Sequence, residues 1–196
     1  MTDTLGLWML ENAGLFRYIG ELGCLREGAG SVLLSGDASA FLSSTLRALF
    51  PDAAITAVDS NLRRLEEARE EDSALEIIEA PFETWLEDRR YDVIVSALQA
   101  QKLDSRELVP YLFNLLEMSA PGASLFLSFP STSILTGQGK REVEAWHNSK
   151  ELTYFKRYFP EDMARALGII GFHINAIELD ENADLGQVVS IHAHKH

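Results

Sequence analysis

The strongest constraint on what this chain can fold into lies near its end. Two apolar segments, Phe172 to Leu179 and Gln187 to Ala193, are joined only by the short polar stretch Asp180 to Gly186. Parallel neighbours need a crossover of a dozen or more residues, so this pair is expected to be an antiparallel hairpin. Upstream the pattern changes: apolar runs and helix-like segments alternate through Phe41 to Phe50, Ile55 to Val58, Leu62 to Glu71, Leu75 to Ile78, Tyr91 to Val95, Arg106 to Met118 and Ser124 to Phe129. That alternation predicts a parallel sheet with helices on both faces. Local chemistry agrees with these boundaries. Pro51 stops the first helix, Ser60 and Ser105 are placed to accept N-cap hydrogen bonds, Pro121-Gly122 makes a turn, and a helix from Glu161 to Ile170 ends at Gly171.

Ahead of the first strand, Ser31 to Leu34, the segment Leu5 to Arg26 carries Leu5, Trp8, Met9, Leu15, Phe16, Ile19 and Leu22 at helical spacing, broken at Asn12-Ala13-Gly14. Two short amphipathic helices over residues 1–28 are the simplest reading. With 196 residues, 46% of them apolar, a chain of this length buries about 70% of its unfolded surface around one core. A single domain over 1–196 is therefore expected. No apolar run approaches the roughly 20 residues of a membrane helix. The N-terminus, with Asp3 and Glu11, lacks a basic leader pattern, so the expected location is cytoplasmic. Cys24 is the one cysteine, which rules out an intrachain disulfide and a thiolate cluster. A net charge of −13 opposes a phosphate backbone, so nucleic acid is not an expected partner, and without an apolar run of membrane length neither is a membrane. A homodimer or a protein partner stays open. The charged run Arg63 to Asp72 keeps Leu62, Leu65 and Ala68 on one face and reads as a solvated helix surface.

Several segments, in order from about Val32 to Ala193, resemble the motifs of the class I S-adenosylmethionine-dependent methyltransferases. The run Val32-Leu33-Leu34-Ser35-Gly36-Asp37-Ala38-Ser39-Ala40 is similar to that family's first strand and glycine-rich turn. Of the three usual glycines only Gly36 is present; Ala38 and Ala40 stand at the others, and Leu34 stands where an acid is usual. Glycine serves there by letting the backbone approach the ligand closely. Ile55-Thr56-Ala57-Val58-Asp59-Ser60 is an apolar strand ending in a carboxylate, roughly 20 residues beyond the turn, the placement at which an acid accepts ribose hydroxyls. Glu76-Ile77-Ile78-Glu79-Ala80-Pro81-Phe82 is similar to the segment that meets the adenine, with Glu79 or a backbone group standing in for the usual acid. Tyr91 to Ala100 resembles the strand and small-residue turn that face the donor, and Pro121 to Leu127 and Phe159 to Phe172 resemble the fifth strand and the last helix.

The resemblance implies a Rossmann-like α/β fold: a seven-stranded, mostly parallel sheet with a C-terminal antiparallel hairpin. It implies S-adenosylmethionine as cofactor, S-adenosylhomocysteine as product, and a cofactor site at Gly36, Asp37, Ala38, Asp59, Ser60, Glu79, Ala80, Pro81, Phe82, Ser96, Ala97 and Leu98. The expected activity is methyl transfer to a small molecule or metabolic intermediate. Two alternatives accompany it: an inactive member of the fold that binds a protein partner, suggested by the depleted glycine turn, and a nicotinamide-dependent oxidoreductase, which would lack the terminal hairpin.

The insertion Ser131 to Tyr158 lies at the carboxyl end of the sheet, where open α/β folds place ligands, and carries Trp146, His147, Tyr154, Phe155 and Tyr158 among polar residues. It is expected to face the acceptor. Methyl transfer mainly requires alignment, and a base only if the acceptor must lose a proton; His147 is the weak candidate. Asp92, at the start of a buried strand, is expected to be structural. His192, His194 and His196 share one face of an extended strand, but lie at a solvated end without nearby carboxylate or cysteine, so no metal site is expected.

Overall fold

The computed structural model describes residues 28–36, 39–131, 143–148, 151–156, 158–182 and 186–196. The two helices expected over residues 1–28, with Trp8, Phe16 and Cys24, lie outside them apart from Gly28. The elements run β1 (Ser31–Ser35), α1 (Ser39–Leu49), β2 (Ala54–Asp59), α2 (Leu62–Glu71), β3 (Glu76–Glu79), β4 (Tyr91–Ala97), a 3-10 turn (Ala100–Lys102), α3 (Ser105–Met118), β5 (Ser119–Pro130), β6 (Val143–Asn148), β7 (Glu151–Lys156), α4 (Pro160–Ile170), β8 (Phe172–Asn182) and β9 (Gly186–Lys195). Seven strands form one sheet in the order β3-β2-β1-β4-β5-β9-β8. The first five pair in parallel, β9 is antiparallel to β5, and β8 is antiparallel to β9. The terminal hairpin is thus present, and its β9 inserts between β5 and β8.

Alternation along the strands loads both faces. Leu33, Ile94, Leu125 and Leu127 pack with Tyr111, Leu115, Met163 and Leu167 on one side, where α3 and α4 lie. Val32, Leu34, Ile55 and Val93 pack with Leu42, Leu46, Leu65 and Ala68 of α1 and α2 on the other. Strands buried on both faces read as near-continuous apolar runs, which is why Val32 to Leu34 of β1 and Val93 to Val95 of β4 stand out. Leu65 and Ala68 are buried as expected, whereas Leu62, in the first turn of α2, is 41% exposed and departs from the face assigned to it.

The helix caps also differ from expectation. Asn61 caps α2, its side chain accepting from the Arg64 N–H, and Asp104 caps α3 in a reciprocal capping box with Glu107. Ser60 and Ser105 each stand one residue from the cap. At Asp104 the reason is that a partner three residues on satisfies two end-of-helix donors at once. Asp92 is structural: Oδ2 accepts from the Gly30 N–H at 2.9 Å, the Ser31 N–H at 3.1 Å and the Ser31 hydroxyl at 3.1 Å, tying β4 to the start of β1. The insertion adds a separate antiparallel pair, β6–β7, which the sequence reading did not foresee.

Candidate functional site

The carboxyl end of β2 and the segments that follow β3 and β4 meet at a cleft of about 200 Å³ lined by Val58, Asp59, Ser60, Phe82, Glu83, Gln99, Lys102, Leu103 and Glu107. Strand β1 hands over to the first turn at Gly36, whose φ of +97° lies in the left-handed region. A Cβ there would stand 2.1 Å from the Ala97 carbonyl oxygen, so the two backbones touch at this point because residue 36 has no side chain. Asp37 and Ala38 lie outside the described residues.

Asp59 ends β2 and is 7% exposed. Its Oδ1 accepts from the Asn61 N–H at 2.8 Å, and Arg64 of α2 reaches Oδ2 at 3.4 Å. A carboxylate offers about four lone-pair directions, so acceptor capacity remains toward the cleft beside both bonds. The Asp59 carbonyl accepts from the Ala80 N–H at 3.1 Å, bringing the chain after β3 alongside β2. There Pro81 to Trp85 forms a turn, with Thr84 and Trp85 both donating to the Pro81 carbonyl, and Asn114 of α3 donates to the Glu83 carbonyl at 3.2 Å. Phe82 is buried against Tyr111, ring centroids 5.5 Å apart at 66°. This turn presents Phe82 and Glu83 to the cleft.

The opposite wall follows β4. Leu98 has φ +54° although it is a buried leucine, a conformation that persists only where its surroundings enforce it. Its N–H donates to Ser128 of β5 at 3.0 Å, and its carbonyl accepts from Gln101 Nε2 at 2.5 Å. The 3-10 turn that follows brings Gln99, Lys102 and Leu103 to the cleft, and the capped start of α3 brings Glu107.

Of the residues expected at the site, Asp59, Ser60 and Phe82 line the cleft, and Gly36 and Ala97 form the backbone contact beneath the first turn. Glu79 is exposed at the end of edge strand β3, and it, Ala80 and Pro81 do not line the cleft; of the acids that follow β3, Glu83 does. Ser96 is buried on the α3 side, its hydroxyl hydrogen-bonded to that of Tyr111. Desolvation raises the Tyr111 phenol well above its ordinary value, so this pair stays neutral. Glu83, Gln99, Lys102, Leu103 and Glu107 were missed; the Asp104-x-x-Glu107 capping pattern was the one signal available for any of them. The side chains of Trp146, His147, Tyr154 and Phe155 lie outside what is described, but strand β7 runs beside the 3-10 turn.

No protein-family model matches this chain, and no curated protein matches it. Among solved structures it is similar to the N-methyltransferase NodS from Bradyrhizobium japonicum WM9 bound to S-adenosylhomocysteine, at 13% identity and TM-score 0.70, covering 92% of this chain and 85% of that one. The chain has the class I methyltransferase fold. Two further likenesses agree. Burkholderia thailandensis 1,6-didemethyltoxoflavin-N1-methyltransferase is 14% identical at TM-score 0.72, over 95% of this chain and 80% of that one. The glycopeptide N-methyltransferase MtfA with S-adenosylhomocysteine is 14% identical at TM-score 0.72, over 94% and 90%. In this fold the strand order reverses between β1 and β4, and the cleft sits at that switch point. The terminal hairpin removes the motivation for the oxidoreductase reading.

Away from the cleft, His192 and His194 project from the same face of β9 as expected. His192 stacks on Phe126 at 4.4 Å, and a bulge at Asn175 sets its amide between Nε2 of His192 (3.3 Å) and Nδ1 of His194 (2.8 Å). His173, His194 and His196 gather with ring centroids 4.9 to 5.5 Å apart. Among the described residues no group of three or more His, Cys, Asp or Glu side chains is placed to hold a metal ion. Burial lowers the pKa of both His192 and His194 below 6.5; His194 adds repulsion to His192, and His173 and His196 add it to His194. A histidine whose folded pKa is depressed contributes stability that is present above its unfolded pKa and lost as pH falls through the folded one. The melting temperature should therefore decline as pH drops from about 6.5 toward 5, and His192→Gln should flatten that decline. An equal decline in the variant would remove His192 as a source. No helix of the described residues is long and apolar enough to cross a membrane.

Proposed function

We propose that this protein binds S-adenosylmethionine in the cleft and transfers its methyl group to a small molecule or metabolic intermediate. The observation that carries the reading is the conjunction of Gly36, whose missing side chain brings the first turn against the end of β4, with the buried carboxylate of Asp59 on the next strand. Several neighbours in the fold were crystallised with S-adenosylmethionine or S-adenosylhomocysteine, and two of those compared above are named as N-methyltransferases, one of 1,6-didemethyltoxoflavin and one of a glycopeptide.

The residues present fit such a donor. Asp59 would accept from the ribose hydroxyls, Phe82 would supply an apolar wall for the adenine, and Glu83, in place of Glu79, would accept from its exocyclic amine. Gln101 Oε1 and the Ser128 hydroxyl are buried without a hydrogen-bond partner among the described residues. Both residues hold the backbone of Leu98, and buried polar atoms of this kind are groups that water would satisfy. The charged lining is three acids, Asp59, Glu83 and Glu107, against Lys102. That balance favours a sulfonium ligand over a pyrophosphate. When bound, the sulfonium supplies an electrophilic methyl whose bond to sulfur breaks as the bond to the acceptor forms. The protein's part is to hold the two in line and keep water out. The insertion is the proposed acceptor side, with His147 the candidate base if the acceptor must shed a proton.

Isothermal titration with S-adenosylmethionine and S-adenosylhomocysteine, on protein freed of copurified ligand, tests the reading. Micromolar binding, about −8 kcal/mol, is expected. No heat and no shift in melting temperature with either ligand would leave the fold as a scaffold for a protein partner.

A further inference from the structure

Both ends of the insertion are anchored, and one anchor is shared with the cleft. At its start the Ser131 N–H donates to the Gln187 carbonyl of β9 at 2.8 Å. At its end Tyr158 forms a parallel bridge with Ser131 and packs edge-on against Phe129 at 6.3 Å. The Tyr158 hydroxyl donates, buried, to the Leu103 carbonyl at 3.1 Å. Leu103 closes the 3-10 turn, with its own N–H donating to Ala100, and lines the cleft beside Lys102 and Gln99. The segment held in this way begins at Leu98, in the left-handed region, an uphill conformation for a leucine that must be held from outside. Its holders are the bond to Ser128, the Gln101 amide, the Asp104 cap and the Tyr158 hydroxyl. Of these, only Tyr158 belongs to the insertion.

We propose that Tyr158 is a positioning residue: through the Leu103 carbonyl it fixes the 98–104 wall of the cleft and couples that wall to the inserted β6–β7 pair. Filling the cleft then steadies the insertion, and loosening the insertion weakens the cleft. The effect on ligand binding rests on the donor assignment made above; the effect on the wall does not.

Tyr158→Phe keeps the ring and its contact with Phe129 and removes only the hydroxyl. Amide hydrogen exchange of the ligand-free variant should be faster across 98–104 by about fivefold or more, since local opening follows the bonds that hold a segment. S-adenosylhomocysteine should slow exchange at both 98–104 and 143–156 in the wild type, and at 143–156 much less in the variant. Its Kd should rise about three- to tenfold, the span expected for one lost neutral hydrogen bond. Ser119→Ala, which removes another buried hydroxyl bonded to a carbonyl, that of Leu115, controls for general loosening. Unchanged exchange at 98–104 in Tyr158→Phe, or equal acceleration in Ser119→Ala, overturns the proposal. If the wild type binds no S-adenosylhomocysteine, the donor reading falls while the ligand-free comparison still judges Tyr158.

Discussion

Gly36→Ala is expected to lower the melting temperature by roughly 6–12 °C, corresponding to about 3 kcal/mol for a chain of this size. Two effects add. The backbone at residue 36 has φ +97°, where an L-side chain costs about 1–2 kcal/mol. The new methyl would also meet the Ala97 carbonyl oxygen at 2.1 Å and its carbon at 3.1 Å, and forced overpacking costs about 1–3 kcal/mol. Relief is hard to find, because Ala97 is held between Gly36 and its register partner Ser128 of β5, and the next residue is the already strained Leu98. Pairing with β5 holds Ala97 in place, so β1 and β4 must separate where Ser35 faces Ser96. The same displacement would open the floor beneath the first turn, and S-adenosylhomocysteine affinity should fall at least about tenfold, or 1.4 kcal/mol. Thermal melting with and without ligand reads both. A variant that melts within about 2 °C of wild type would mean that the turn relaxes freely and that the close approach is not a requirement.

The parts of this molecule that were legible beforehand are those in which one residue type admits one solution. The seven residues from Asp180 to Gly186 cannot span a parallel crossover, so the hairpin followed, and with it the fold. Gly36 and Asp59 could be singled out as candidates for the same reason: each stands at the end of an apolar strand, one lacking a side chain and the other carrying a charge. The remaining site was hidden by geometry that leaves no mark on composition. Leu98 turns the chain in a conformation usually left to glycine or asparagine, and nothing about a leucine announces it. Gln99, Lys102 and Leu103 reach the cleft only because of that turn. Glu79 and Glu83 were four residues apart and chemically alike; the turn from Pro81 to Trp85, pinned by Asn114 from a distant helix, decides which of them faces the cleft. Ser96 was assigned by its position at the end of β4, but its hydroxyl is buried in a hydrogen bond with that of Tyr111 and does not line the cleft.

Asp59 offers the cleaner test of binding, because its structural role and the ligand role proposed for it separate by substitution. Oδ1 accepts from the Asn61 N–H at the entrance to α2, and Oδ2 receives Arg64. Asp59→Ala removes both and should destabilise the protein as well as weaken binding, since it leaves a main-chain donor and a guanidinium to find other partners. Asp59→Asn keeps an oxygen for Asn61 while removing the charge and replacing the other acceptor with a donor. Hydrogen bonds to a charged acceptor contribute about 1.5–3 kcal/mol each. Asp59→Asn should therefore weaken S-adenosylhomocysteine about 10- to 100-fold, with a much smaller loss of stability than Asp59→Ala. Methylthioadenosine, which retains the ribose and adenine but lacks the amino-acid end, should lose affinity by the same factor. A nucleoside ligand that bound wild type and Asp59→Asn equally would place the ribose away from β2 and sink the assignment of Asp59. Loss confined to the full-length ligand would move this carboxylate's role from the ribose to the amino-acid end.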